Sequence, residues 1–242
     1  MPVVKQTRSY LSHARRLAFE GLGSARYSRP SLNGIDLKLS KYLDYEGGFF
    51  IEAGANDGFT QSNTYLLERT RGWTGLLIEA IPELFEKCRL ERRASVVRHC
   101  ALVANDYEES TVDIHFANLM STISDARKTP EALASHIGDG LRVQGLEGSY
   151  VAKVPARTLT SILDEVAPDH AIDFFSLDVE GYELNVLRGL DFDRYAPEYL
   201  LVEATYFDEV NAHLTGRYEA VDQLSVHDYL YRRRSAGGPD HG

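Results

Sequence analysis

Cysteine is scarce in this chain: Cys88 and Cys100 are the only two in 242 residues, and they lack CxxC spacing. That arrangement carries no zinc signal and predicts two reduced, buried thiols of the kind found in a cytosolic protein. Long apolar runs are also missing. No stretch reaches the roughly 18 apolar residues of a membrane span, so no integral membrane segment is expected. Positive charge is in deficit, with 26 Lys and Arg against 36 Asp and Glu and a formal net charge of -10. Nucleic acid as the main partner needs a basic surface and is excluded, whereas a neutral or cationic small substrate is not. There is no internal repeat and no low-complexity tract, and no apolar segment of the kind a secretory leader needs.

What is present is ordinary soluble-protein composition, 43% hydrophobic and 26% charged. The length suits one large domain with a short extension. Residues 1–45 read as a helical extension and linker, 46–234 as the main domain and 235–242 as a disordered tail. The extension is basic, carrying Lys5, Arg8, Arg15, Arg16, Arg26 and Arg29 against Glu20 alone. Such a start can be a transit peptide or a membrane-surface helix. The favoured reading is a helix packed on the domain through Tyr10, Leu11, Ala14, Leu17 and Ala18, which fall at helical spacing. Residues 21–34, rich in Gly, Ser, Arg and Pro, read as a linker, and 36–43 as helical.

From Gly47 short apolar runs alternate with amphipathic helices. Strands are predicted at 49–53, 75–79, 95–103, 110–116, 172–177 and 199–203. Helices are predicted at 62–71, from Pro82, at 158–166 and at 182–188, the last stopped by Gly189 as a C′ residue. Residues 218–224 and 228–233 read as a strand pair closing the domain. Alternating strands and helices imply an α/β fold with a parallel sheet covered on both faces. Such a sheet binds ligands at the carboxyl ends of its strands, so the residues there matter most.

The first strand ends Glu52-Ala53-Gly54-Ala55-Asn56-Asp57-Gly58. Gly54 and Gly58 permit positive φ and close approach of backbone to a ligand. A dinucleotide loop would place glycine where Asn56 stands, and Glu52 would repel a pyrophosphate. Glu52 suits a cationic ligand such as S-adenosylmethionine, with its sulfonium and ammonium groups. Glu79, ending the second strand, can accept two ribose hydroxyls, a geometry that NAD and S-adenosylmethionine share. Ala80 and its neighbours Ile81 and Pro82 can lie along the adenine, and Ala101 can wall its pocket. Asp178, ending the strand at 172–177, points towards the cleft. It could orient a donor, ligate a divalent cation or act as a base. Glu180 and Glu183 follow in the first turn of a helix, where acids favour the macrodipole. Glu203 ends the neighbouring strand, and with Asp178 it could contribute two oxygens to a metal.

Several segments together resemble the FkbM-like family of class I S-adenosylmethionine-dependent methyltransferases: FFIEAGANDGFTQSNTYLLE (49–68), GWTGLLIEAIPELFEKC (72–88), HCALV (99–103), MSTIS (120–124), VPARTLTSIL (154–163), DFFSLDVEGYELNVLRG (173–189) and EYLLVEA (198–204). They keep the family's order over about residues 40–230. The resemblance implies a Rossmann-like three-layer sandwich with a mostly parallel seven-stranded sheet and an antiparallel terminal strand pair. It implies S-adenosylmethionine as donor and transfer of a methyl group to a hydroxyl oxygen of a sugar or natural product. Glu52, Gly54, Asn56 and Gly58 would then hold the methionine half. Glu79 would take the ribose, Ala80 and Ala101 border the adenine, Ser121 approach the carboxylate or the acceptor, and Asp178 face the reacting centre. One departure is Glu52, where many class I enzymes carry aspartate.

Methyl transfer from a sulfonium needs alignment and exclusion of water, and a hydroxyl acceptor must also lose its proton. Asp178 and Glu180 are the leading bases, with His115, His136 and His227 behind them. The rival readings are an NAD(P)-dependent oxidoreductase on the same fold and an interaction module without catalysis. The expected partner is a small molecule or glycan, met in the cytoplasm.

Overall fold

The computed structural model describes residues 2–115, 122–123, 150–166 and 171–235, with isolated positions between 129 and 142, and side chains from residue 11 onward. The helices are α1 (Pro2–Gly21), α2 (Ile35–Leu39), α3 (Tyr65–Arg71), α4 (Pro82–Glu91), α5 (Leu159–Val166), α6 (Glu183–Arg188), α7 (Phe192–Tyr195) and α8 (Phe207–Leu214). The strands are β1 (Phe49–Ala53), β2 (Thr74–Glu79), β3 (Val96–His99), β4 (Ala101–Leu102), β5 (Thr111–His115), β6 (Thr122–Ile123), β7 (Val151–Arg157), β8 (Phe174–Leu177), β9 (Tyr199–Glu203), β10 (Tyr218–Gln223) and β11 (Asp228–Arg233).

Seven strands form the main sheet in the order β10-β11-β9-β8-β1-β2-β3. All pairings from β9 to β3 are parallel, and β11 runs antiparallel to both β9 and β10. β1 is buried along its whole length, as a central strand apolar but for Glu52 should be. Its side chains alternate between two cores. Ile51 and Ala53 join one with α5, α6 and α8, and Phe50 joins the other with α2, Leu67 and Trp73. This is the expected three-layer α/β sandwich with its antiparallel terminal pair.

The region expected as one strand at 95–103 is two. β3 is the edge of the main sheet, and after Cys100 the chain leaves to pair β4 with β7 in a second, four-stranded sheet. Residues 95–103 contain no glycine or proline, so nothing in them signals a change of partner. β5 also belongs to this second sheet, antiparallel to β7. Gly189 does cap α6, but at φ −89°, outside the left-handed region. The smallest residue is needed there because a Cβ would lie 2.1 Å from the Val103 carbonyl oxygen.

The extension is helical and docked, though not through the expected face. Leu11 and Leu17 are 67% and 41% exposed, and Ala14 and Ala18 are exposed too. The buried residue is Arg16, ion-paired to Glu91 at 2.7 Å, while Glu20 pairs with Arg69 at 2.6 Å. Charge pairing therefore overrides the apolar periodicity. Apart from Ser235, the expected tail lies outside the described residues, and so do Ser121 and His136. Among the described residues no helix is long and apolar enough to cross a membrane. Both cysteines are free and buried, and burial pushes the Cys100 thiol up to about 12.

Candidate cofactor and catalytic site

The strand order reverses between β1 and β8, and a cleft partly open to solvent lies at the carboxyl ends of these strands. This is the topological switch point, where α/β sheets place their ligands. Glu52, Gly54, Asn56, Glu79, Ala80, Ala101, Asp178 and Glu180 all line it. Of the remaining expected residues, Gly58 does not line it.

The β1 loop is built by glycine at a point of backbone contact. Gly54 has φ +82°, and a Cβ on it would lie 1.8 Å from the Asp178 carbonyl oxygen. The β1 and β8 loops thus touch without a side chain between them, and Gly54 is exposed towards the cleft. Gly58 also has positive φ, but its missing Cβ makes room for Arg92 and Cys88 of the α4 region. This side of Gly58 packs against α4, and the residue does not line the cleft where it was expected.

Glu52 is corrected in its contact. Its Oε1 accepts from the Asn63 N–H at 2.9 Å, and its Oε2 accepts from Ser62 Oγ, Thr64 Oγ1 and Arg92 Nη1. Arg92 is fully buried and also donates to Glu68, Gly58 and Thr64. The carboxylate expected to face a cation already has one, supplied from 40 residues away. Glu52 instead organises the 58–64 segment.

Glu79 holds the position expected of a ribose ligand. Its side chain is buried, Oε2 accepts from Asn56 N–H and Oε1 from Ile81 N–H, each at 2.7 Å. Burial raises its pKa to about 7, against the lowering effect of those backbone donors. Beside it Ile81, Leu84, Ala101 and Leu102 supply an apolar slot. His99 donates from its ring to the Ala80 carbonyl at 3.0 Å and stacks on Phe85, fixing the turn.

Asp178 is half-buried at the end of β8. Burial first, then the Glu203 and Glu180 carboxylates, push its pKa well above the ordinary range, and it hydrogen-bonds to Glu203. Glu183 accepts from Gly181 N–H at 2.7 Å and is raised to about 7 by burial, but it does not line the cleft. Among the described residues no three His, Cys, Asp or Glu side chains are arranged to hold a metal ion. His115 and His227 are not brought to the cleft.

The lining residues not foreseen include one continuous segment, Thr60, Gln61, Ser62 and Asn63. They precede α3, which starts at Tyr65 and not at residue 62. The Asp57 carboxylate accepting from Phe59 and Thr60 N–H is an Asx-type turn, and Asp57 followed by Gly58 was its signal in the sequence. Among the described residues, three of the four non-glycine residues with positive φ, Asn56, Gln61 and Glu180, lie on this cleft. Such strain concentrates at functional sites.

A doubly wound, mostly parallel sheet with a ligand cleft at its switch point defines a Rossmann-like α/β protein. The chain belongs to the FkbM methyltransferase family, since residues 52–233, well over half of it, match the methyltransferase FkbM domain. No curated protein matches significantly. Among solved structures, the chain resembles an FkbM methyltransferase from Methylobacillus flagellatus at 15% identity and a TM-score of 0.45, covering 90% of this chain and 59% of that one. It also resembles a TehB-like SAM-dependent methyltransferase from Corynebacterium glutamicum at 11% identity and a TM-score of 0.41, covering 95% and 99%. A SAM-dependent methyltransferase from Aquifex aeolicus shares 13% identity at a TM-score of 0.37, with 88% and 94% covered. The chain thus spans under two thirds of the first of these.

Proposed function

We propose that this chain moves a methyl group from S-adenosylmethionine to a hydroxyl oxygen of a small-molecule or glycan acceptor. The observation that carries the reading is Glu79, a buried carboxylate held by two backbone N–H groups at the edge of an apolar slot. Its remaining lone pairs can accept the two ribose hydroxyls. The slot of Ile81, Leu84, Ala101 and Leu102 fits an adenine ring, and the backbone at Gly54 and Asn56 fits the amino-acid half. The acids Asp178 and Glu180 line the part of the cleft beside the Gly54 loop. The bound donor supplies an already electrophilic methyl carbon.

The chain's own residues then align and deprotonate. A carboxylate at the end of β8 with a raised pKa is a better base at neutral pH than an ordinary aspartate. With the donor held by Glu79 and by the backbone at Gly54 and Asn56, and supplying the methyl group to the acceptor oxygen, Asp178 would take that hydroxyl's proton. Glu203, hydrogen-bonded to Asp178, holds that side chain in place at the end of β8. Glu180, held at φ +55°, is placed on the cleft to orient the acceptor. We read 46–234 as the catalytic domain, acting in the cytoplasm.

The test is transfer of labelled methyl from S-adenosylmethionine to a panel of polyhydroxyl acceptors, in wild type and Asp178→Asn. The variant should keep affinity for S-adenosylhomocysteine and lose kcat by about 10²- to 10⁴-fold. A variant with wild-type kcat would remove Asp178 as the base, and label found on nitrogen would remove the hydroxyl acceptor.

A further inference from the structure

The cleft wall formed by Thr60, Gln61, Ser62 and Asn63 has a back face, which residues preceding the family-matched segment support. Arg16 of α1 is 4% exposed, and its guanidinium carbon lies 3.6 Å from the centroid of the Phe59 ring. Its Nη2 donates to Glu91 at 2.7 Å, while its Nε has no hydrogen-bond partner. Contact with the ring face therefore helps to offset the desolvation of a permanent charge. Phe59 packs edge-on against Tyr65 at 4.9 Å, and the Tyr65 hydroxyl lies 2.9 Å from Glu20 and 3.1 Å from Glu91. A second contact comes from the linker, where the Ser31 hydroxyl donates to Asn63 Oδ1. Asn63 in turn donates to Glu52 through its backbone and to Ser176 through its side chain. The segment thus reaches the wall at both ends, and between them Gln61 is held at φ +63°. A conformation that costs energy persists only where its surroundings over-determine it.

We propose that residues 11–31 hold the donor-side wall in place and that Arg16 is a positioning residue, acting through Phe59 on Thr60 and Gln61. This rests on the reading of the cleft as the donor site. Every residue lining the cleft belongs to the family-matched segment, but the packing behind this wall comes from the extension.

The test uses full-length Arg16→Ala, Arg16→Lys, Phe59→Leu and the Arg16→Ala/Phe59→Leu double variant. Arg16→Ala should raise KM for S-adenosylmethionine and Kd for S-adenosylhomocysteine about tenfold while kcat changes less than about twofold. Arg16→Lys keeps the charge beside Glu91 but loses the planar contact, so it should recover part of the affinity. The double variant should be no weaker than either single one, as expected for residues acting through one contact. Amide exchange at residues 60–63 in the ligand-free protein should speed up about tenfold in Arg16→Ala. Unchanged exchange and unchanged KM would overturn the proposal, as would a loss of kcat and KM that merely follows the melting temperature. Failure of wild type to bind S-adenosylhomocysteine would instead sink the donor reading, leaving the exchange result to decide the role of Arg16.

Discussion

Lowering the pH should weaken S-adenosylhomocysteine binding through Glu79. Its pKa is raised from 4.5 to about 7, with burial the leading cause. The ionised form accepts both ribose hydroxyls, whereas a protonated carboxyl accepts poorly at one oxygen. Glu79 would be about 90% ionised near pH 8 and about 10% near pH 6, so the apparent Kd should rise about tenfold on acidification. Stability of the ligand-free protein should run the other way. A folded pKa above the unfolded value favours the protonated fold, so this contribution is complete below about pH 4.5 and is lost as pH rises through about 7. Glu183, also raised to about 7, adds to the stability trend but not to binding, because it does not line the cleft. Isothermal titration between these pH values, with wild type and Glu79→Gln, separates the two effects. The Gln variant should bind more weakly and lose the pH dependence. A flat wild-type profile, or a Gln variant that keeps the wild-type slope, would refute the ribose role.

Two further substitutions probe the frame of the cleft. Gly54→Ala would drive a Cβ into the Asp178 carbonyl oxygen at 1.8 Å and strain a backbone at φ +82°; it should abolish S-adenosylhomocysteine binding and lower the melting temperature, and a variant that binds normally would contradict the close contact of the β1 and β8 loops. Arg92→Met leaves Glu52 and Glu68 buried without their shared cation; it should cost about 3–5 kcal/mol in urea unfolding, and a loss near zero would show that those carboxylates do not depend on Arg92.

Much of the main sheet was legible because its strands are short, apolar and bounded by turn residues. Residues 49–53, 199–203 and 228–233 read from the sequence coincide with β1, β9 and β11. The cleft followed, since ligands of such sheets sit at strand ends, and Glu79 and Asp178 are the residues found there. What could not be read depends on contacts distant in sequence. Nothing near Glu52 announces that Arg92 neutralises it. The glycine at 58 looks like one for a ligand, yet it makes room for Arg92. Apolar spacing in α1 pointed to Leu11 and Leu17, whereas the helix docks through Arg16 and Glu20, a choice made by Glu91 and Arg69. Ser62 and Asn63 of the wall fall inside the helix read at 62–71, because the start of α3 is set by an Asp57 turn and by Glu52, not by propensity.

The most direct test of the account is calorimetric titration of the full-length protein with S-adenosylhomocysteine and, separately, with NADH. The account predicts one saturable site for S-adenosylhomocysteine, weakened by Glu79→Gln, and no response to NADH. Tight NADH binding with no response to S-adenosylhomocysteine would contradict it.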